Sequence, residues 1–303
     1  MGTILEQLPE GSRVALIRLR SLGDCVLTTP AIAILQRSRP DLRIAVVVEE
    51  RFAAVFDGNP AVETLLAPLA RDLAAWRPAL ALNLHGGTRS MGLTLRSGAR
   101  FRAGFAHHRH SYLYNVKIPT AQEVLGVSRR VHTAEHLASA MFYLGVERCE
   151  IPRAALFASP APAAVPYAVL HPMASEAAKT WPADSFLAVA RHLRERWGLE
   201  PVFIAAAGED ASAFGAYRVV AGAPLAEVKT LIAGAAAFVG NDSGPAHMAA
   251  AFGLPAVVIF GNSDAEVWAP WKAPAEALVA RGPISSVTPA EAIAALERQR
   301  VTA

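Results

Sequence analysis

A glycine-rich turn, a lysine and an aspartate are the residues of this chain whose types and spacing suit chemistry. Gly240-Asn-Asp-Ser-Gly-Pro-Ala-His247 lies between the small-apolar run 233–239 and a helix-like run, 248–252; a second apolar run, 255–260, follows. Strand, polar turn and helix start in that order aim backbone N–H groups and the positive end of the helix dipole into the turn. That makes an anion site, and phosphate is the expected anion. Gly244 allows close backbone approach, and Pro245 suits a first helical turn because it has no N–H to lose. Asp242 reads either as an N-cap or as an acceptor for sugar hydroxyls. His247 reads either as a core histidine or as a donor to phosphate.

Lys179 lies in His171-Pro-Met-Ala-Ser-Glu-Ala-Ala-Lys-Thr-Trp-Pro182, just before a helix start at Pro182. It is either a plain surface lysine or, with the Ser175 hydroxyl, a charge-assisted partner for a diphosphate leaving group. Glu209 and Asp210, after the strand 201–205, are placed by topological analogy where ribose hydroxyls are held. Asp24, in Ser21-Leu-Gly-Asp24, falls between the first strand and the first helix. A first-turn acid stabilised by the helix dipole is one reading. A general base at the carboxyl edge of a sheet is the other.

These residues need elements to carry them. Residues 14–19 read as a buried strand, 20–24 as a turn, and 28–37 as a helix with Pro30 in its first turn. Strands at 44–48 and 79–84 follow, the latter closed by His85-Gly-Gly. After the Pro- and Ala-rich segment 157–166 the pattern restarts, with strands at 167–170 and 201–205, helices at 182–197 and 226–233, and a helical C-terminal stretch, 289–299. Strands alternating with helices imply βαβ units and parallel sheets. With 303 residues, two α/β halves joined by a Pro-rich hinge are expected, with a ligand cleft between them.

Composition narrows the class. Hydrophobic residues are 53% and charged residues 18%, which supplies a core and argues against disorder. No run reaches the roughly 20 apolar residues of a membrane span. The N-terminal residues do not read as a signal peptide, and Cys25 and Cys149, the only cysteines, are expected to be reduced, in the cytoplasm. Cys25 reads as a small core residue. Net charge is +3, but residues 85–122 hold no Asp or Glu while carrying Arg89, Arg96, Arg100, Arg102, Arg109 and Lys117. This is either a solvated basic face or a surface for an anionic acceptor or an anionic membrane.

Several signatures are missing: a Gly-x-Gly-x-x-Gly after a strand, a Walker A sequence and any Asp-x-Asp. His132-Thr-Ala-Glu-His136 matches an inverted zincin pattern, yet the sequence singles out no third ligand. No metal is expected.

Four segments taken together resemble glycosyltransferase family 9, whose best-known members are ADP-heptose:lipopolysaccharide heptosyltransferases. They are Arg18-Leu-Arg-Ser-Leu-Gly-Asp24 with Thr28-Thr-Pro30, Asn83-Leu-His-Gly86 with Arg89, residues 172–182, and Val239 to His247 with Phe260-Gly261. They occur in the family's order, and the resemblance covers residues 14–296. Met173 stands where the family usually has glycine, and Asn262 and Ala265 stand at usual prolines.

The resemblance implies an α/β, GT-B architecture: two Rossmann-like domains with parallel sheets facing across a cleft. Residues 1–160 would bind acceptor and 161–303 the nucleotide sugar, with the C-terminal helix free to pack back on the N-terminal domain. It implies Asp24 as catalytic base and Lys179 on the diphosphate. Ser243, Gly244 and His247 would line the phosphates, with Asp242 at the sugar and adenine near Ala223 to Leu225. On the acceptor side it implies Ser21, Gly23, His85, Arg89 and Arg96. No cofactor is implied beyond the co-substrate, ADP-heptose. The implied partners are the nucleotide sugar and an anionic glycolipid, with peripheral contact at the inner membrane surface and no nucleic acid. A binding protein without transfer and a GT-B-like epimerase are the competing readings.

Overall fold

The computed structural model describes residues 2–302, and only the main chain of 300–302. The chain divides into two units, one through Phe157 and one from Ala158. The division falls at the start of the Pro- and Ala-rich segment.

The first unit alternates strand and helix: β1 (Arg13–Ile17), α1 (Leu22–Ser38), β2 (Arg43–Val47), α2 (Glu50–Ala53), β3 (Thr64–Leu66), α3 (Ala70–Trp76), β4 (Leu80–Asn83), α4 (Thr88–Arg96), β5 (Phe101–Phe105), β6 (Val116–Ile118), α5 (Ala121–Leu125) and α6 (Thr133–Leu144). Its six strands run parallel in the order β3-β2-β1-β4-β5-β6. Such a sheet is covered on both faces, so its central strands are continuous apolar runs rather than alternating ones. Ala15, Leu16 and Ile17 are fully buried, as are Ala45 to Val47. The helix α6 packs on α1.

The second unit repeats the plan with β7 (Tyr167–His171), α7 (Ala183–Trp197), β8 (Glu200–Ala205), β9 (Arg218–Ala221), α8 (Leu225–Ala233), β10 (Ala237–Asn241), α9 (Gly244–Phe252), β11 (Ala256–Phe260), α10 (Ala265–Trp268), β12 (Ala275–Val279) and α11 (Pro289–Thr302). Its order is β9-β8-β7-β10-β11-β12, again parallel throughout. Trp181, Phe186, Phe203, Val239 and Ile259 anchor its core. Ala292, Ala295 and Leu296 of α11 are buried in the second unit's own core, where the helix packs on α7, β11 and β12.

In each sheet the order reverses at the middle, between β1 and β4 and between β7 and β10. The crevice outside the carboxyl ends of strands at such a point is where doubly wound folds hold ligands.

One boundary differs in a way that matters. The sequence suggested a turn at 20–24 and a helix from Thr28, because Pro30 is disfavoured in a helix interior. The helix instead begins at Leu22 and runs through Pro30. Proline removes the N–H that would reach the Val26 carbonyl; the Thr29 hydroxyl donates to that carbonyl instead, at 2.8 Å. Asp24 is therefore a helical residue, three positions from the Ser21 N-cap.

Candidate active site

Asp24 projects from the first turn of α1 at the β1/β4 switch point. Its carboxylate accepts from Ser21 Oγ at 3.0 Å and from the Ser21 N–H at 3.4 Å. Arg18 Nη1 lies 3.3 Å from its other oxygen. Arg18 is buried; desolvation works against its charge, and Asp24 works for it. The first-turn acid and the positioned carboxylate are thus one residue: capping bonds and Arg18 fix the side chain, yet it remains 22% exposed.

That exposed edge borders a cavity of ≈ 610 Å³ lined by Arg18, Arg20, Ser21, Asp24, Arg51 and His85, with Phe52 as an apolar wall. Three guanidinium groups around one carboxylate suit an anionic ligand. Of the sequence-derived acceptor candidates, Ser21 and His85 meet Asp24 here. Gly23 is buried in the first turn of α1. Arg89 starts α4 and pairs with Glu49 at 3.2 Å, while Glu49 also holds Arg51 at 2.9 Å. Arg96 ends the same helix, exposed. Seven residues of helical rise put it roughly 10 Å along the axis from Arg89, so the structure does not bring Arg96 to this cavity. Arg20 and Arg51 were not among the candidates, since both lie outside the acid-free stretch 85–122.

His85 is half-buried and its pKa is lowered, first by burial and then by Arg18. Cys25 is buried, and burial pushes its thiol up to about 12. It is a core residue, as its sequence suggested. The zincin-like pattern is accounted for locally. His132 is the N-cap of α6 and its Nδ1 accepts from the Ala134 N–H at 3.1 Å. Glu135 accepts from the His132 N–H and pairs with Arg129. His136 stacks on Phe105 with ring centroids 4.0 Å apart.

The second candidate site lies at the β7/β10 switch point. Ser243 is the N-cap of α9, and Gly244 and Pro245 form its start. Asp242 is half-buried beside them. Burial raises its pKa, while the nearby Ser263 hydroxyl and the charge of Lys179 oppose that rise. Lys179 sits in a single turn, Ala177–Lys179, between β7 and α7. Two contacts fix that turn against β10 and β11. Buried Asn241 donates to the Pro172 carbonyl at 2.8 Å and accepts from the Trp181 N–H at 3.0 Å, so one amide brackets both ends of the loop. Gly261 packs under the turn: a Cβ there would sit 2.1 Å from the Ala178 carbonyl oxygen.

Ser175 is exposed on the same loop. Met173, at a position where glycine is usual, packs against the apolar core. His247 is buried one turn into α9, its ring 6.5 Å from that of Trp268. Glu209 is exposed after β8, and its carboxylate accepts from the Ala206 N–H at 2.6 Å. Leu225 starts α8, with Ala223 just before its Pro224 N-cap, and this segment lies beside the Glu209 turn: a Cβ on Gly222 would touch Ala207 at 3.5 Å. His171, Asn241 and Gly261 were not among the candidates. All three lie in the motif segments, but nothing in their spacing reveals contacts across 60 to 83 residues.

The family model for glycosyltransferase family 9 (heptosyltransferase) matches residues 67–287. The chain is 27% identical over 299 residues to lipopolysaccharide heptosyltransferase 3 of Escherichia coli, covering 84% of each. Its fold matches a glycosyl transferase family 9 structure from Veillonella parvula with TM-score 0.84, at 19% identity, over 96% of this chain and 98% of that one. It also matches E. coli ADP-heptose lps heptosyltransferase II with TM-score 0.82, at 20% identity, over 96% and 99%. Two parallel Rossmann-like units, a carboxylate at one switch point and a lysine-flanked helix start at the other accord with that match, and the chain belongs to glycosyltransferase family 9, the heptosyltransferase family.

Proposed function

We propose that this glycosyltransferase moves heptose from ADP-heptose to an anionic saccharide of the lipopolysaccharide inner core, by an inverting single displacement that needs no metal. The observation that carries this reading is the Lys179 turn fixed beside the start of α9 by Asn241 and Gly261. A fixed ammonium and a helix N-terminus supply the charge that a departing diphosphate requires. The donor class follows from the family and from relatives named for heptose transfer.

In the proposed step Asp24 takes the proton of an acceptor hydroxyl as its oxygen attacks the anomeric carbon. The bond from that carbon to the diphosphate breaks on the opposite face, through a transition state of oxocarbenium character. Negative charge growing on the diphosphate meets Lys179, Ser175, and the N–H groups and hydroxyl at Ser243 and Gly244. Asp242 is assigned to the sugar, His247 to the phosphates, Glu209 to the ribose, and Ala223 and Leu225 to the adenine. ADP leaves without a general acid. Arg20, Arg51 and His85 are assigned to the acceptor, with Arg89 held near Arg51 through Glu49.

The basic stretch 85–122 suits an acceptor carried on an anionic membrane surface, where we place the enzyme as a peripheral cytoplasmic protein. No helix among the described residues is long and apolar enough to cross a membrane.

An ADP-release assay crossing ADP-heptose and other nucleotide sugars with lipid A-linked and simpler acceptors tests the reading. Release only with ADP-heptose plus an inner-core acceptor, unchanged by EDTA and with product of inverted anomeric configuration, is expected. Binding without release would favour a non-catalytic protein, and an altered sugar without acceptor would favour an epimerase.

A further inference from the structure

His171 ends β7, with its main chain opposite Gly240 of β10. Its ring Nδ1 lies 2.9 Å from Ser243 Oγ, 72 residues away. Ser243 is the N-cap of α9, yet its side chain makes no capping bond to that helix. An N-cap serine ordinarily accepts from an N–H of the first turn. Here the hydroxyl is turned to the histidine instead.

The ring is partly buried, and desolvation lowers its pKa to about 4. At neutral pH it is a neutral imidazole with one N–H, and two arrangements are open to it. If Nδ1 accepts, the serine proton is used up on the ring and only oxygen lone pairs face an incoming anion. If Nδ1–H donates, the serine oxygen is the acceptor and its own proton is free for a ligand oxygen. An anion beside Ser243 stabilises the second arrangement and opposes the first.

We propose that His171 is a positioning residue, whose Nδ1–H holds the Ser243 hydroxyl as a hydrogen-bond donor to the diphosphate of the nucleotide sugar. The proposal rests on the reading of the α9 start as the diphosphate site. Lys179 and the helix dipole attract the anion broadly, in the ground state as in the transition state. A hydroxyl proton held in one direction acts more selectively, because its bond strengthens as charge moves onto the leaving oxygen. The signature of His171 is therefore a fall in kcat with little change in ADP affinity.

The experiment measures kcat and KM for ADP-heptose by ADP release, ADP affinity by calorimetry, and Tm, for His171→Ala, His171→Asn, Ser243→Ala and the double variant H171A/S243A. Asparagine places an amide N–H donor near the position of Nδ1. His171→Ala is expected to lower kcat roughly 10²-fold while ADP affinity stays within about 3-fold, a difference below 1 kcal/mol. His171→Asn is expected to restore most of that loss. In the S243A background His171→Ala should add nothing, because the histidine acts through the serine. Independent, multiplying losses would overturn the proposal, as would His171→Asn turning over no faster than His171→Ala. If Ser243→Ala and Lys179→Ala both leave turnover and ADP affinity intact, the diphosphate site itself is misassigned. If those two act and His171 does not couple to Ser243, only the histidine's role is lost.

Discussion

Arg18 Nη1 stands 3.3 Å from the Asp24 carboxylate, a buried cation holding a partly exposed acid at the cavity mouth. The pair sets an orientation as well as a charge. Asp24→Asn keeps the side chain's size and an acceptor for the Ser21 N–H, but it cannot take a proton. Transfer is expected to fall ~10²-fold or more, with ADP affinity unchanged by calorimetry. Wild-type-like ADP release by this variant would refute the base assignment.

Replacing Lys179 by alanine removes the ammonium from the proposed diphosphate site. We expect weaker ADP binding by roughly 10-fold or more, as for the loss of a charge-assisted hydrogen bond. Calorimetry at two salt concentrations checks this: the wild-type affinity should weaken with salt more steeply than the variant's. Equal affinities would remove Lys179 from the phosphate.

Gly261→Ala probes the same turn without touching a ligand. Its Cβ would meet the Ala178 carbonyl oxygen at 2.1 Å, a backbone atom that moves only with the Lys179 turn. Donor KM is expected to rise, with Asp24-side properties unaffected. A KM equal to wild type would mean that the turn's position is unimportant for donor binding.

Asn241→Ala leaves the Pro172 carbonyl and the Trp181 N–H without their partner. An unpaired buried backbone group costs about 1–3 kcal/mol. Each kcal/mol lowers Tm by about 2–4 °C in a domain of this size. Calorimetric melting with and without ADP should show a lower Tm and a smaller stabilisation by nucleotide.

Acid should destabilise the first unit through His136, whose pKa is lowered to about 4 by burial and by neighbouring cations. The unfolded residue has a pKa of about 6.5. Between those values the unfolded chain binds more protons than the native one, so stability falls as pH falls from about 6.5 toward 4 and is fully present above that window. His136→Phe keeps a ring on Phe105 and removes the titration. Its Tm should depend less on pH over that range than the wild type's, and parallel curves would exclude His136 as a source of the acid sensitivity.

The alternation of strand and helix was readable because buried parallel strands are short continuous apolar runs, such as Ala237 to Val239 and Ala256 to Phe260. The α9 start and the Lys179 loop were readable for a related reason: anion sites recur where a polar turn joins a strand to a helix. What escaped was what the fold brings together from afar. Asn241 reads as one more turn residue until its amide is seen between Pro172 and Trp181, and His171 as the first residue of a loop until its ring meets Ser243. The start of α1 was misplaced because Pro30 signals a helix's first turn, and only the Thr29 hydroxyl explains how the helix passes through it. Arg51 carries no local signal, since its place at the cavity follows from where β2 ends.

Both sheets share one strand order, with the proposed acceptor groups on one and the proposed donor groups on the other. Recognition of the two substrates is then modular, each half free to diversify its loops on an unchanged scaffold. A chimera joined at Phe157 and Ala158 would inherit its sugar from one parent and its glycan target from the other.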